Sequence, residues 1–355
     1  MKIGVVGLGI AGLSAAAGLL QAGHAVTGFE RFALLHDHGS SHGDTRIFRR
    51  YPFEGGPYLR LADESAKGWH DWSQQAGEDL IVDCGGIYAT PHGSAFMADI
   101  ARNAVQPEAM SAAQCNEAYP FFNVPADWDL LRVKEDAYIR PDATRVFLAK
   151  RIAALGGELH FEAKVEAVDV GCAAVHVDGE AHQFDALVIA AGGWTAQLLP
   201  FMSNYLTTER RTMSWYKPTM GGAASLPVFR FGPEFYGMPT PDGLLKIGHN
   251  DHFREPVDMD APPPLTDRDA AHVDALRARF LKNVDPVAVK QARCVYTMTP
   301  DLDFIADGHP DNRNVLILSC CSGHGFKYGP SYGRMAADYF AGHALPETFS
   351  LSRFA

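Results

Sequence analysis

The chain has 355 residues, of which 47% are hydrophobic and 21% charged, so it can form a large core and is not intrinsically disordered. This length predicts about two domains. Asp and Glu number 42 against 31 Lys and Arg, and the net charge of −11 argues against nucleic acid or an anionic membrane as a partner. The six cysteines form no C-x-x-C pair, which argues against a disulfide framework or structural zinc and indicates free thiols in a reducing compartment.

An apolar run at the N-terminus, residues 1–20, has the lysine, apolar stretch and small residues of a signal peptide. Its glycines are spaced too regularly for that role, and no other run reaches the roughly 18 apolar residues of a membrane span. We therefore expect a cytoplasmic protein without a membrane partner.

A glycine-rich motif, GLGIAG at residues 7–12, follows a predicted buried strand over 2–6. A predicted helix over 13–21, a second strand over 24–29 and the acidic residue Glu30 come next. This order is typical of a dinucleotide-binding βαβ unit. The alternative is a glycine-rich turn in a βαβ unit that has only a structural role.

Each conspicuous residue of this unit has a physical reason to be there. Gly7 permits a tight turn, Gly9 lets the backbone approach a pyrophosphate, and Gly12 lets the helix pack against the strand. The helix N-terminus presents free N–H groups and a positive dipole to the phosphates. Glu30 is placed to accept hydrogen bonds from a ribose hydroxyl group and disfavours a 2′-phosphate.

The middle of the chain carries a second candidate cofactor contact. Residues 157–168 predict two short strand segments, and residues 184–191 predict a buried strand that ends in Gly192-Gly193-Trp194. Small residues at the end of a strand suit a second close approach to the cofactor. An ordinary strand-to-helix turn is the alternative.

Two further blocks carry a family resemblance. Residues 42–49 have the sequence HGDTRIFR, and residues 322–327 have the sequence SGHGFK. Together with residues 7–12 and 192–194, they resemble the monomeric sarcosine oxidase and N-methyltryptophan oxidase group of D-amino-acid-oxidase-like FAD enzymes. The resemblance covers nearly the whole chain in the same order.

The resemblance implies an α/β (mixed α+β) fold with two interleaved domains. The FAD-binding, Rossmann-like domain would comprise residues 1–83, 136–204 and 295–355. A mostly antiparallel sheet, the substrate or catalytic domain, would comprise residues 84–135 and 205–294. The residues that would bind FAD are Gly7, Gly9, Gly12, Glu30, Arg31, Ser41, His42, Thr45, Arg46, Val165, Gly192, Trp194, Cys294, Gly323, His324, Gly325, Phe326 and Lys327.

Three of the expected site residues would bind the cofactor covalently or bind the substrate. By resemblance, Cys294 is the covalent attachment site of the flavin, although most free cysteines are simply small buried thiols. Arg49 and Lys327 resemble the pair that binds a substrate carboxylate, for which an Arg fork is suited. The alternative for this pair is two surface charges.

Three further residues would act in catalysis. By resemblance, Lys246 promotes the reaction with O2, Arg46 is a second cation near the flavin ring, and Tyr236 is an active-site tyrosine. The alternative for Lys246 is an edge-strand lysine, which is a common device against aggregation. The alternative for Tyr236 is an aromatic residue of the core.

One position departs from the sarcosine oxidase pattern. That group has a histidine four positions after the lysine, whereas this chain has Asn250 there and His249 one position earlier. In a strand, His249 would therefore point to the opposite face. This departure puts a catalytic histidine, and sarcosine as the substrate, in doubt.

The implied function is an FAD-dependent amine oxidase that converts a secondary amino acid, N-methyl or cyclic, to an imine and reduces O2 to H2O2. We expect a monomer that binds an amino-acid-like substrate and O2, and no metal, because His36, His38 and His42 match no ligand pattern. The alternatives are a fructosyl-amino-acid or primary amino-acid oxidase, a flavin dehydrogenase with another electron acceptor, and a non-catalytic FAD-binding module.

Overall fold

The chain folds into helices and sheets whose positions we describe from a computed structural model covering residues 1–52, 54–103, 106–250 and 256–355. Residues 53, 104–105 and 251–255, which fall inside the predicted domain ranges, lie outside the described residues. In the described parts, the α-helices are α1 (Ile10–Gln21), α2 (Pro57–Ala76), α3 (Ala95–Asn103), α4 (Ala112–Ala118), α5 (Pro141–Ala154), α6 (Thr195–Leu198), α7 (Asp267–Phe280) and α8 (Gly329–Phe340). The strands are β1 (Lys2–Val6), β2 (Ala25–Phe29), β3 (Arg46–Phe48), β4 (Ile81–Asp83), β5 (Gly86–Pro91), β6 (Glu108–Met110), β7 (Trp128–Val133), β8 (Ala137–Ile139), β9 (Glu158–His160), β10 (Val165–Asp169), β11 (Ala174–Val177), β12 (Glu180–Gln183), β13 (Ala186–Ile189), β14 (Thr207–Pro218), β15 (Val228–Phe231), β16 (Phe235–Pro239), β17 (Leu245–His249), β18 (Val284–Met298), β19 (Ile305–His309) and β20 (Asn312–Ser319).

The six-stranded sheet has the order β19-β20-β13-β1-β2-β9, and all its neighbouring strands are parallel except β19 and β20. Its central strands are almost continuously apolar and buried, because helices α1, α5 and α8 cover one face and a second cluster with the sheet β10-β11-β12 covers the other. Parallel strands deliver their carboxyl ends to one edge. The turns that follow β1, β13 and β20 therefore lie side by side.

The eight-stranded sheet has the order β18-β14-β17-β16-β15-β5-β7-β6, and all its pairs are antiparallel except β15 and β5. One face packs on α4 and α7 through a core that contains Phe229, Phe231, Leu245 and Ile247. Strand β17 lies between β14 and β16, so the alternative that Lys246 is an edge-strand lysine is wrong.

The mixed α/β fold class expected from the resemblance is confirmed by the structure and its neighbours. The division into residues 1–83, 136–204 and 295–355 against 84–135 and 205–294 stays a prediction. Strand β18 runs without interruption across the predicted boundary at residue 294. No helix among the described residues is both long and apolar enough to span a bilayer.

The predicted N-terminal elements are present with shifted ends. Helix α1 begins at Ile10 rather than at residue 13, because Gly9 has the extended backbone of an N-cap and Gly12 lies inside the helix. The strand predicted over 184–191 is shorter, Ala186–Ile189. The two short segments predicted within 157–168 are β9 and the start of β10.

Two glycines join the N-terminal helix to the C-terminal helix. A Cβ atom added to Gly18 of α1 would lie 2.3 Å from the carbonyl oxygen of Gly333 in α8, and one added to Gly333 would lie 2.6 Å from that of Ser14. The two backbones therefore approach as closely as atoms permit. This contact anchors the last helix of the chain against the first.

Replacing Gly18 by Ala is expected to lower the free energy of unfolding by about 1–3 kcal/mol, because the methyl group forces α1 and α8 apart. Helix propensity alone predicts the opposite, a gain of about 1 kcal/mol. The measurement is the denaturant midpoint of both proteins. Gly221→Ala is the matched control, since a Cβ there meets no atom within 4 Å. A Gly18→Ala variant at least as stable as the wild type would contradict the close-packing interpretation.

Candidate active site

An elongated cavity runs along the carboxyl edge of the six-stranded sheet and under the open face of the eight-stranded sheet. The turns after β1, β13 and β20 all contribute to its wall. The predicted site residues that line it are Gly7, Gly9, Glu30, Arg31, Ser41, Arg46, Arg49, Val165, Gly192, Trp194, Tyr236, Cys294, Gly323, His324, Gly325, Phe326 and Lys327. The other predicted site residues, which are not part of the wall, are Gly12, His42, Thr45 and Lys246.

The end of the cavity beside β1 has the shape that a dinucleotide requires. Gly7 has a φ of +88°, and a Cβ there would lie 2.6 Å from the Ala190 carbonyl oxygen. A Cβ on Gly12 would lie 1.8 Å from the Gly7 carbonyl oxygen, so helix and turn could not meet with any larger residue. The glycines thus leave open, beside the N-terminus of α1, the space that a pyrophosphate needs, and this end fits FAD.

Two side chains close this end of the cavity. The Glu30 carboxylate accepts the N–H groups of Leu8 at 2.9 Å and of Phe32 at 3.1 Å, and burial raises its pKa. Arg31 forms an ion pair with Asp260, which also accepts the Trp194 indole N–H at 3.1 Å. Glu30 therefore has a fixed orientation beside the turn that follows β1, and its binding to a ribose stays a prediction. Asp260 is a contact that the sequence did not reveal.

The middle of the cavity contains Cys294 and its neighbours. Cys294 is buried, and its sulfur lies 3.7 Å from Nη2 of Arg46, which also donates to the His42 carbonyl oxygen at 2.7 Å. Side chains alternate along β18, so Tyr296 lines the same wall as Cys294. Cys321, which sequence reasoning treated as an ordinary thiol, also lies on the wall, 3.7 Å from Oγ of Ser40.

Lys246 lies beside Arg46 and outside the cavity wall. Its side chain is 1% exposed, and Nζ donates to Asp44 Oδ1 and to the Thr45 carbonyl oxygen, both at 2.9 Å. Nζ also lies 4.8 Å from the centre of the Trp215 ring, whose N–H donates to the second Asp44 oxygen. Burial, with Arg46 as a second cause, lowers the pKa of Lys246 to about 8, while Asp44 opposes this shift.

At the other end of the cavity, two predicted cations converge on one carboxylate. Oε1 of Glu54 lies 3.4 Å from Lys327 Nζ, 3.7 Å from Arg49 Nη2 and 3.3 Å from His324 Nδ1. Although burial opposes it, the charges of Lys327, His324 and Arg49 hold the pKa of Glu54 well below its ordinary range. Burial lowers the pKa of Lys327 to about 7 and that of His324 to about 4. Neither cation of the predicted pair is therefore a surface charge.

Tyr236, His249 at the end of β17 and Asn250 just after it also have defined positions. The Tyr236 hydroxyl oxygen lies 3.4 Å from that of Tyr296, and Tyr236 is a wall residue. His249 is buried on the face opposite Lys246, with its ring 4.6 Å from that of His272, whereas Asn250 lines the cavity. His249 therefore points to the face of the strand opposite Lys246, as the sequence predicts.

Sequence reasoning missed several residues of the cavity region: Asp44, Glu54, Tyr88, Arg230, Asn250 as a wall residue, Asp260, Tyr296 and Cys321. Local signals existed for three of them, of which Asp44 lies inside the block HGDTRIFR at residues 42–49. Tyr296 follows Cys294 by two positions in a predicted strand, and Arg230 is a charge within the apolar run VFRF. The others reach the site through tertiary contacts between distant segments.

Comparisons with known proteins agree with this geometry. The family described as "DAO: FAD dependent oxidoreductase" matches residues 2–339. N-methyl-L-tryptophan oxidase of Yersinia pestis (strain Pestoides F) is 30% identical, with 99% of this chain and 98% of that protein covered. NikD, an unusual amino acid oxidase essential for nikkomycin biosynthesis, superposes with a TM-score of 0.86 at 20% identity, covering 98% and 96% of the two chains. L-proline dehydrogenase from P. horikoshii superposes with a TM-score of 0.87 at 17% identity, covering 99% of this chain and 97% of that one. At such identities, the two solved structures establish likeness of fold alone.

The buried lysine is expected to make stability depend on pH. The pKa of Lys246 is about 8 in the folded protein against an ordinary value of 10.5, so the unfolded chain binds more protons between these values. The free energy of unfolding therefore rises through this window, by at most about 1.4 kcal/mol per pH unit. Lys246→Met should remove that rise.

The measurement is a series of denaturant midpoints from pH 7 to 10 for the wild type and Lys246→Met. Lys290→Met is the matched control, because Lys290 is exposed and lies 4.8 Å from the same Trp215 ring. Equal pH slopes in the wild type and Lys246→Met would show that Lys246 keeps its ordinary protonation.

Proposed function

The chain belongs to the DAO family of FAD-dependent oxidoreductases, and from this membership we propose that it oxidises the CH–NH bond of a secondary amino acid. The substrate would be an N-methyl or cyclic amino acid, the product an imine, and the electron acceptor O2, which is reduced to H2O2. We propose that the protein acts as a monomer.

The cofactor would lie along the cavity. When bound, FAD supplies the two-electron redox chemistry, and the protein supplies placement and electrostatics. Gly7, Gly9 and the N-terminus of α1 would hold its pyrophosphate, and Glu30 its ribose. The turns at residues 192–194 and 322–327 would complete the site.

The convergence of Arg49 and Lys327 on a single carboxylate oxygen is the observation that carries the proposal. Arg49 lies 3.7 Å and Lys327 3.4 Å from Oε1 of Glu54. The two cations come from segments almost 280 positions apart, and their geometry already suits a carboxylate. A substrate carboxylate that bound there would fix the orientation of the amino acid, which is a proximity effect.

The same cations favour the reactive form of the substrate. An amine can lose a hydride equivalent only when its nitrogen is neutral, and a third positive charge beside Arg49 and Lys327 would be unfavourable. Largely apolar side chains line the cavity as well, among them Val228, Tyr236 and Met238, and they would reduce the access of water and strengthen such charge effects.

Lys246 would support the reaction with oxygen. A fixed cation stabilises the negative charge that develops when an electron passes to O2. Asp44 and the Thr45 carbonyl hold the ammonium group at 2.9 Å, and its neighbour Arg46 lines the cavity. With a pKa of about 8, Lys246 would hold its proton at neutral pH and lose it in mildly alkaline solution.

Cys294 would attach the flavin covalently. Its thiol is buried, lines the cavity and contacts the Arg46 guanidinium at 3.7 Å. Covalent attachment would retain the cofactor and raise its potential. Cys321 lines the same wall and provides an internal comparison.

Anaerobic addition of an N-methyl amino acid is expected to bleach the flavin of the holoenzyme, and air should then restore the colour with formation of H2O2. Arg49→Met and Lys327→Met should each raise the KM about tenfold to a hundredfold, because each removes a charge-assisted hydrogen bond of about 1.5–3 kcal/mol. Lys134→Met, which alters an exposed lysine paired with Glu108, is the control.

Affinity for a simple carboxylate inhibitor should also fall as pH rises through about 7, because Lys327 loses its proton there. This dependence should be missing in Lys327→Met. No bleaching by N-methyl, cyclic or primary amino acids would refute the proposal, and bleaching that a dye reverses but O2 does not would replace the oxidase by a dehydrogenase.

Acid precipitation is expected to leave the yellow colour in the protein pellet, and Cys294→Ser should release it into solution. Cys321→Ser is the matched control, since it alters a second thiol of the same wall, and it should keep the colour in the pellet. The absorbance of pellet and supernatant near the flavin bands gives the measurement. Free flavin from the wild type would rule out Cys294 as an attachment site.

A further inference from the structure

A short segment joined to the eight-stranded sheet reaches the dinucleotide end of the cavity. Residues 256–260, which we call the clasp, lie beside β14 through an isolated bridge between Pro256 and Glu209. The Val257 N–H donates to the Thr208 carbonyl oxygen at 2.9 Å, and the Thr208 hydroxyl donates to the Val257 carbonyl oxygen at 2.6 Å. One end of the clasp is therefore fixed to the sheet that covers the cavity.

The clasp packs on the cavity wall through its apolar residues. Val257 and Met259 are buried, whereas the residues beside them are exposed, as in a half-buried strand. A Cβ added to Gly193, a wall residue in the turn after β13, would lie 2.7 Å from the Met259 sulfur. The Met259 side chain therefore fills the space that a larger residue at position 193 would occupy.

Asp260, at the far end of the clasp, binds three side chains of the wall. One carboxylate oxygen forms an ion pair with Arg31 and accepts the Trp194 indole N–H at 3.1 Å. The other accepts the Gln197 amide at 3.3 Å. All three donors line the cavity. The bonds from Arg31 and Trp194 lower the pKa of Asp260, so a single charged carboxylate joins the turn after β2 to the turn after β13.

These wall residues belong to the nucleoside half of a dinucleotide site. In a dinucleotide-binding βαβ unit, the ribose binds at the end of the second strand, and Arg31 follows Glu30 there. The Arg31 guanidinium carbon lies 5.2 Å from the centre of the Phe32 ring and 5.7 Å from that of the Trp194 ring. The position of Arg31 thus depends on both rings and on Asp260.

We propose that the clasp holds the adenosine half of FAD in the cavity, and that Asp260 must release Arg31 and Trp194 before this half can leave. The inference goes beyond the proposed function, because it needs only the FAD dependence of the family and neither a particular substrate nor O2. Since the clasp is fixed to β14, the covering sheet would retain the cofactor together with the βαβ unit.

The first test follows the release of FAD from the holoprotein in a Cys294→Ser background, where only non-covalent contacts retain it. Asp260→Asn should speed release about threefold to tenfold, because the amide keeps the size of the side chain but loses the charge that binds Arg31. Asp260→Glu should restore part of the retention. Asp71→Asn, which alters an exposed aspartate of α2, is the control. Flavin fluorescence of the filtrate gives the rate.

A second measurement keeps Cys294 and does not depend on how the flavin is attached. A nucleotide pyrophosphatase hydrolyses FAD to FMN and AMP only when the pyrophosphate is accessible, so AMP release reports detachment of the nucleoside half. Asp260→Asn should release AMP faster than the wild type by the same factor, with unchanged flavin absorption bands and an unchanged denaturant midpoint.

Equal AMP release from Asp260→Asn and the wild type would overturn the clasp. Faster release together with altered flavin bands and a lower denaturant midpoint would also overturn it, because the substitution would then have loosened the whole fold. Neither outcome depends on which amine the protein oxidises, so the clasp and the proposed function can fail separately.

Discussion

The parallel pairing of β20, β13, β1 and β2 is the constraint on which the site depends. Parallel strands bring their carboxyl ends to one edge, so turns that begin near residues 7, 190 and 320 become neighbours. None of these turns contributes a large surface by itself. Together they form a continuous wall of backbone and small residues, and the contact of α1 with α8 at Gly18 and Gly333 holds the last of them against the first.

Burial of charge is the main cost of this arrangement, and each buried cation of the site has a specific partner. Lys246 is held by Asp44, and Lys327 by Glu54. A buried ion without a partner would destabilise the fold by several kcal/mol. A buried ion with a partner of opposite charge keeps a pKa close enough to neutral pH to remain charged. The lowered pKa values of the two lysines, about 8 and about 7, are consequences of this incomplete compensation. They place both groups where small changes of environment alter their charge.

Local features of the site could be predicted from the sequence, and tertiary features could not. The turn at residues 7–12 and Glu30 depend on neighbours along the chain, and strand alternation alone predicted the opposite faces of Lys246 and His249. Lys246 lies inside the eight-stranded sheet because β14 and β16 pair with the two sides of β17, and these strands come from other segments of the chain. Glu54 reaches Lys327 across 273 positions, and no pattern of a single segment encodes that distance.

The cavity has two different sides. The turns after β1, β13 and β20 form its floor, which consists largely of backbone and small residues, whereas the eight-stranded sheet covers it with polar and aromatic side chains. The floor suits a dinucleotide whatever the substrate, because its fit depends on glycines and on a helix N-terminus. Tyr88 in β5, Arg230 in β15 and Tyr236 in β16 are directly paired across this sheet and all line the cavity. A substitution among them changes the lining of the cavity without altering the floor. Selectivity for a substrate side chain can therefore change in β15 and its neighbours while cofactor binding is preserved.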